Sequence, residues 1–288
     1  MVYSPAMLLP ENAARALEVV RREGRGVRFE IKKACEQERW RLKVCYAPAE
    51  GGGETQVPVG PIPRAAIFLG ELAGEPCFAR LLGDGEVAPE GTDPIALRQL
   101  FGALPDDEFG IAGRALAITA WDRDHRFCGR CGSPTERSPT ERSRTCPQCG
   151  LAAYPRISPA IIALIERDGR ALLARNARFP LPFFSTLAGF VEVGETLEAA
   201  VAREIHEEAG IAITDIRYFG SQPWPFTGSL MIGFTARWAS GEIVAEPTEI
   251  AEADWFSPDE LPRVPPKLSI ARELIDDFVR RHGGAPRD

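Results

Sequence analysis

The chain has 288 residues, 44% of them hydrophobic and 26% charged, with a formal net charge of −7 and a sequence pI near 5.3. That length accommodates two domains with separate cores, and the composition is ordinary for a soluble globular protein. The acidic balance argues against a general polyanion-binding surface, while still allowing one RNA end to enter a metal-lined pocket.

The opening residues, MVYSPAMLLPENAARALEVVRREG, show neither the basic flank plus long apolar core of a signal peptide nor a spanning segment. The cytoplasm is therefore the expected compartment, with no membrane partner. Within them, ENAARALEVVRR reads as a short amphipathic helix. Alternation in Arg28–Ile31 and Trp40–Val44 predicts half-exposed strands, and Ala65–Leu69 and Cys77–Leu82 are two further apolar runs. Between them, the glycine-rich stretch Glu50–Gly60 reads as a loop. Cys35, Cys45 and Cys77 are small apolar fillers on this reading. Pro94–Leu104 is expected to be a helix with proline in its first turn, and Glu108–His125 a second helix. Residues 1–125 thus form a smaller α+β domain without a legible function of its own.

Residues 126–153 contain Cys128-Gly-Arg-Cys131 and Cys146-Pro-Gln-Cys149, each pair followed by glycine. The polar sequence between them, GSPTERSPTERSRT, cannot build a core. Two such knuckles give a tetrahedral set of four thiolates with no open position, the pattern of structural zinc. A redox pair or an iron–sulfur cluster is the competing reading. A ribbon of this kind can bind nucleic acid, but Tyr154-Pro-Arg and a strand follow closely. A clip between domains is the better reading.

Residues 154–288 read as an α/β unit. Ile161–Ile165 is an apolar strand, Asp168-Gly169 a hairpin turn and Ala171–Ala174 the returning strand. Thr186–Val191 leads into an acidic helix; Ile216–Gly220 and Leu230–Trp238 are further strands, with a turn at Ser240-Gly241. Leu268–Arg281 closes the unit as an amphipathic helix, giving an α/β/α sandwich.

The acidic helix is the most informative stretch, GFVEVGETLEAAVAREIHEEAGI from Gly189 to Ile211. Thr196 is a good N-cap and Gly210 a good terminator. At about 100° per residue from Leu197, the apolar arc holds Leu197, Ala200, Val201 and Ile205. Glu204 and Glu208 fall inside that arc at roughly 340° and 20°, and Glu207 beside it near 280°. A solvated charged face is the usual account of a Glu-Glu pair, but here the phase is wrong for it. Carboxylates on a semi-buried face repel one another and lose hydration, and a hard divalent cation such as Mg²⁺ or Mn²⁺ removes both penalties.

The pattern G-x5-E-x7-R-E-U-x-E-E-x-G-U, with U aliphatic, is filled at Gly189, Glu195, Arg203, Glu204, Ile205, Glu207, Glu208, Gly210 and Ile211. It resembles the box of the Nudix hydrolases, at a number of fixed positions that makes the signal strong. The resemblance implies the Nudix α/β/α fold, hydrolysis of a nucleoside diphosphate linked to another group, and metals held by Glu204, Glu207 and Glu208. It further implies that Arg203 orients these acids by pairing with Glu195.

Beyond the box lies Ser221-Gln-Pro-Trp-Pro-Phe226, where two prolines keep the backbone extended and present Trp224 and Phe226 as rigid faces. Such faces suit the rings of a dinucleotide; core-capping aromatics are the plainer reading. The stretch, Gln222 included, resembles the SQPWPFPxS element of the NADH pyrophosphatase subgroup, in which a four-cysteine ribbon also precedes the catalytic domain. Thr227 stands where that element has proline. The resemblance implies that Tyr154, Ile162, Phe190, Met231 and Ala271 line the nicotinamide side, with Trp224 and Phe226 shaping a pocket completed across a homodimer interface. It also implies that Glu249, in PTEIAEADWF, acts near the metal or the attacking water; without it, Glu249 reads as a surface charge.

The expected reaction is NAD(H) plus water to nicotinamide mononucleotide plus AMP, with NAD-capped RNA as a second substrate. Two other classes compete: a non-catalytic nucleotide sensor, for which three intact acids have no use, and a zinc-ribbon nucleic-acid adaptor.

Overall fold

A computed structural model describes residues 26–34, 39–47, 66–72, 75–81, 96–177 and 183–286. The expected helix in ENAARALEVVRR, the Glu50–Gly60 loop and Cys35 lie outside these residues. The chain divides into two units, one formed by Ala6–Arg156 and the other built on Ile157–Asp288.

In the first unit a four-stranded sheet has the order β2-β1-β4-β3. Strands β1 (Gly26–Ala34) and β2 (Arg39–Ala47) pair antiparallel in unbroken register from Gly26↔Ala47 to Ala34↔Arg39. The two further apolar runs become β3 (Ile67–Leu72) and β4 (Glu75–Leu81). Helix α1 (Asp106–Asp124) begins after Pro105 with three acids in its first turn, which suit the positive end of the helix dipole. It buries Ile111, Ala112, Ala115 and Ile118. The helix expected over Pro94–Leu104 is reduced to one 3₁₀ turn, Leu97–Leu100, because Phe101 is extended and Gly102 has a φ of 78°. The cysteine ribbon follows in the same unit, with short strands β5 (Glu136–Arg137), β6 (Arg144–Thr145) and β7 (Ala152–Ala153).

The second unit is a six-stranded mixed sheet between two helices. Its strands are β8 (Ser158–Arg167), β9 (Arg170–Asn176), β10 (Leu187–Phe190), β11 (Ala212–Trp224), β12 (Ser229–Ser240) and β13 (Ile250–Phe256). The order is β11-β12-β8-β9-β13, with β10 paired to β8. Residues 160–165 of β8 are apolar and buried without a break because both faces of the strand are covered there. Ile161, Ala163 and Ile165 pack under helix α2 (Leu197–Ala209), while Ile162 and Leu164 pack under helix α3 (Ile270–Arg281). Asp168 and Gly169 both take positive φ, 49° and 75°, as a tight two-residue hairpin requires. The predicted α/β/α sandwich is present.

In this unit two elements differ from expectation. Strand β13 was not predicted, and β11 runs on through Gln222-Pro-Trp224 rather than stopping at Gly220. Proline inside a strand is tolerated because β11 is an edge strand, where one side has no ladder to serve.

Candidate active site

Helix α2 carries its acids where the sequence phase puts them. Thr196 Oγ1 accepts from the Ala199 N–H at 3.2 Å, and Gly210 ends the helix at φ 72° with its N–H on His206 O. Between these caps Ala200, Val201, Ile205 and Ala209 are buried, and Glu208 is buried among them. Glu204 is mostly covered, whereas the Glu207 side chain is half exposed. A Cβ on Gly189 would overlap the Glu204 carboxylate, so only glycine lets that acid lie across β10.

Arg203 ties the acids together. Its Nε and Nη2 donate to the two oxygens of Glu195 at 2.8 and 2.9 Å, and Nη2 also donates to Phe190 O. Its Nη1 lies 3.0 Å from Glu204 Oε1 and 3.0 Å from Glu207 Oε2. The Glu195–Arg203 pair expected from the box is therefore formed. That hydrogen bond, with the Glu192 N–H, draws the Glu195 carboxyl down to about 2.

Glu204 and Glu208 move the other way. Burial pushes Glu204 above the usual carboxylate range against the pull of Arg203, and nearby Glu207 and Glu249 add to the push. Burial and then the Glu204 charge push Glu208 up to about 8. Its Oε2 is buried with no hydrogen-bond partner. An orphaned carboxylate oxygen beside a second strained carboxyl, on an oxygen-only donor set, fits a hard divalent cation. The glutamates stand wider apart than the cysteines described below, and Glu207 is engaged by Arg203.

A cavity opens beside Glu208. Of the residues expected to contact substrate, it is lined by Ile162, Phe190, Gln222, Trp224 and Met231. Ala271 is not in the lining; it is fully buried, and its neighbour Ile270 meets the cavity instead. Phe226 packs edge-on against Trp224, with ring centroids 5.0 Å apart, and Trp224 is itself buried. Gln222 already has structural work: its Nε2 donates to Leu268 O, and its Oε1 accepts the Ile270 N–H, each at 2.9 Å. It thereby satisfies the start of α3. Thr227 Oγ1 and Ser229 Oγ are 2.9 Å apart in the cavity wall. Glu249 precedes the lining residue Ile250, and its charge bears on both Glu204 and Glu208. Tyr154 belongs to the other unit; it is exposed, and its hydroxyl donates to Glu141 Oε1 at 3.0 Å. Sequence reasoning missed Ser185, Thr186 and Asn176, which also line the cavity. No motif signal marks them.

The ribbon cysteines are brought together as the spacing predicts. Sulfur separations are 3.6 Å for Cys128–Cys149, 3.5 Å for Cys131–Cys146 and 3.6 Å for Cys131–Cys149. A tetrahedral metal with bonds of ~2.3 Å sets its sulfurs roughly 3.8 Å apart. Among the described residues these four are the one metal-capable group whose ligand atoms all lie within 4.8 Å. The two knuckles share one backbone form. Gly132 and Gly150 take φ of 75° and 72°, and each donates to the carbonyl of the first cysteine at 2.9 Å. The Arg130 N–H points at Cys128 Sγ, 3.4 Å away. Cys77, the other cysteine whose side chain is described, is half-buried, in line with a filler.

A mixed sheet held between two helices, one bearing a glycine-seated acid cluster, defines a Nudix domain, and the NUDIX domain model matches residues 155–278. The NADH pyrophosphatase zinc ribbon domain matches residues 123–154, and the NADH pyrophosphatase-like rudimentary NUDIX domain residues 36–121. A Deinococcus radiodurans protein named NAD-capped RNA hydrolase NudC is 50% identical over 220 residues, 75% of this chain and 78% of that protein. A Pseudomonas aeruginosa protein of the same name is 46% identical over 217 residues, 75% of this chain and 78% of its own length. A solved NUDIX hydrolase from Nitrosomonas europaea aligns at 25% identity and a TM-score of 0.48, covering 56% of this chain and 94% of that one. The chain belongs to the Nudix hydrolases, in the NADH pyrophosphatase group that these relatives represent. No helix among the described residues is long and apolar enough to cross a membrane.

Proposed function

We propose that this chain hydrolyses the pyrophosphate of NAD(H) to nicotinamide mononucleotide and AMP, and removes NAD caps from RNA 5′ ends by the same cleavage. The observation that carries this is the partnerless Glu208 oxygen, buried at a cavity whose wall includes Ile162, Phe190, Trp224 and Met231. The printed names of the relatives and of the ribbon domain support the same substrate class.

On this reading Glu204, Glu207, Glu208 and Glu249 hold Mg²⁺ or Mn²⁺. Such cations neutralise phosphate charge and activate water for attack. Arg203 fixes Glu204 and Glu207 through its Nη1, and a carboxylate, Glu249 or one of the helix acids, accepts the proton from the attacking water. The apolar wall offers the nicotinamide half a flat, dry surface. Phe226 and Ala271 support that wall from behind, and the active form is a homodimer. An adenosine extended at its 3′ side stays outside, which admits capped RNA. Cys128, Cys131, Cys146 and Cys149 hold structural zinc, since four sulfurs leave no open position. Four unpaired thiols in one site suit the cytoplasm.

The test is to incubate the protein with NADH, NAD⁺ and NAD-capped RNA in Mg²⁺ or Mn²⁺ and identify the products by mass. Nicotinamide mononucleotide with AMP or 5′-monophosphate RNA is expected. Binding without any cleavage in saturating Mn²⁺ would replace the enzyme with a sensor.

A further inference from the structure

The strands sort the cavity wall by face. Ala188 packs on the side of helix α3, and Phe190, two residues on, shares that face of β10. Met231 packs there too, and its cross-strand partner Gln222 brings Trp224 to the same side. With Ile162 these residues make the apolar side of the cavity, across the sheet from the core under α2.

Ile270, the first residue of α3, belongs to this wall and is 3% exposed. Two features hold it in place. The Gln222 amide grips the main chain on both sides of the N-cap Ser269: Nε2 donates to Leu268 O, and Oε1 accepts from the Ile270 N–H, each at 2.9 Å. Gly233 of β12 stands against the side chain. A Cβ there would lie 2.8 Å from Ile270 Cδ1 and 3.3 Å from its Cγ1. The φ of Gly233 is outside the left-handed region, so its backbone does not call for glycine. A glycine inside a strand weakens it and marks the close approach of another group, which here is Ile270. With any side chain at position 233 Ile270 would have to yield, and the open space it borders is the cavity.

We propose that Gly233 and Gln222 are positioning residues for specificity: through Ile270 they set the floor of the cavity at the depth a nicotinamide ring needs. The inference rests on the hydrolase reading above and adds what makes its cavity selective. ADP-ribose, which is NAD without the nicotinamide, has no use for that depth. Both residues act on the seat of the base and not on the pyrophosphate, so their effect belongs in KM rather than kcat.

The experiment measures kcat and KM for NADH and for ADP-ribose in Mn²⁺, with melting temperatures alongside, on the full chain. Gly233→Ala should raise KM for NADH about 10-fold or more at near-constant kcat, and leave KM for ADP-ribose within about twofold. Ile270→Val deletes Cδ1, the atom in the way, so adding it to Gly233→Ala should return KM for NADH to within about threefold of wild type. Gln222→Leu releases both ends of the grip and should raise KM several-fold for NADH alone; if Gly233→Ala does not fold, this variant carries the same comparison. Combined with Gly233→Ala it should raise KM by less than the product of the two separate effects, because both act through Ile270. A rise in KM equal for both substrates, or no rise, overturns the proposal. So does a Gly233→Ala/Ile270→Val variant that fails to fold or to recover, since Gly233 then answers to Gly220 O, also 3.3 Å from that Cβ. A wild type that cleaves neither substrate overturns the hydrolase reading and this inference with it.

Discussion

Two acids are buried almost equally deeply in this chain, Asp122 at 3% exposure and Glu208 at 5%, and they are treated in opposite ways. Asp122 Oδ1 accepts from Arg137 Nε at 2.8 Å and Arg144 Nη1 at 2.6 Å, and its Oδ2 from Arg137 Nη2 at 2.7 Å. Burial pushes that carboxyl up, yet the two arginines outweigh it and hold Asp122 below its usual range. No arginine or lysine answers Glu208 among the described residues; it is pushed up to about 8 and keeps an oxygen without a partner. The first acid is matched inside the chain and joins the end of α1 to the cysteine ribbon. The second needs a positive charge from outside. Depth alone does not separate a structural acid from a working one; the state of its partners does.

The contrast is broken most severely by removing the working acids. Glu208→Gln and Glu207→Gln should each lower kcat/KM for NADH by about 10²–10³-fold or more, measured by product release. Gly189→Ala should do the same without touching a carboxylate, because its Cβ displaces Glu204. Asp122→Asn should act on folding instead. Leaving Arg144 buried against a neutral amide should cost about 3 kcal/mol in denaturant titration, with kcat of the folded fraction unchanged.

The pH response should then run in opposite directions. Asp122, held below its unfolded value of 3.8, stabilises the fold above that value, and the contribution is lost as pH falls through the folded pKa. Glu208, raised from 4.5 to about 8, favours the fold fully below pH 4.5, and without metal that contribution is lost as pH rises toward and through 8. Melting temperatures of the metal-free protein should therefore decline from pH 5 to pH 8, and Glu208→Gln should flatten that decline. Asp122→Asn should flatten only the acid side. The smallest effect expected is that of Arg203→Lys. A single ammonium cannot span Glu195, Glu204 and Glu207 together, so a loss of about tenfold in kcat/KM should follow, with little change in stability.

Much of the acid site was legible in the chain itself. The caps at Thr196 and Gly210 and the buried phase of Glu204 and Glu208 follow from local spacing, because one helix carries them, while the Glu195–Arg203 pair came from the resemblance of the box. The two cysteine knuckles were legible for the same reason. Strand β13 was not, since three of the eight residues in EIAEADWF are acids and the run lacks a clean alternation. In the aromatic stretch the two prolines indicate an extended backbone, but that it pairs as a strand depends on an edge position, which is a property of the whole sheet. Gln222 has the look of a ligand contact, but its amide is taken up by Leu268 and Ile270 at the entry to α3, 46 and 48 residues away. Ser185 and Thr186 could not have been singled out, since only folding brings them into the cavity lining.

The most direct measurement is a thermal shift of metal-free wild type and Glu208→Gln, each with and without Mn²⁺. Mn²⁺ should raise the melting temperature of the wild type markedly, while the variant should melt higher than wild type without metal and gain little from it. An equal Mn²⁺-induced shift in both proteins would contradict the assignment of Glu208 as the acid that awaits a cation.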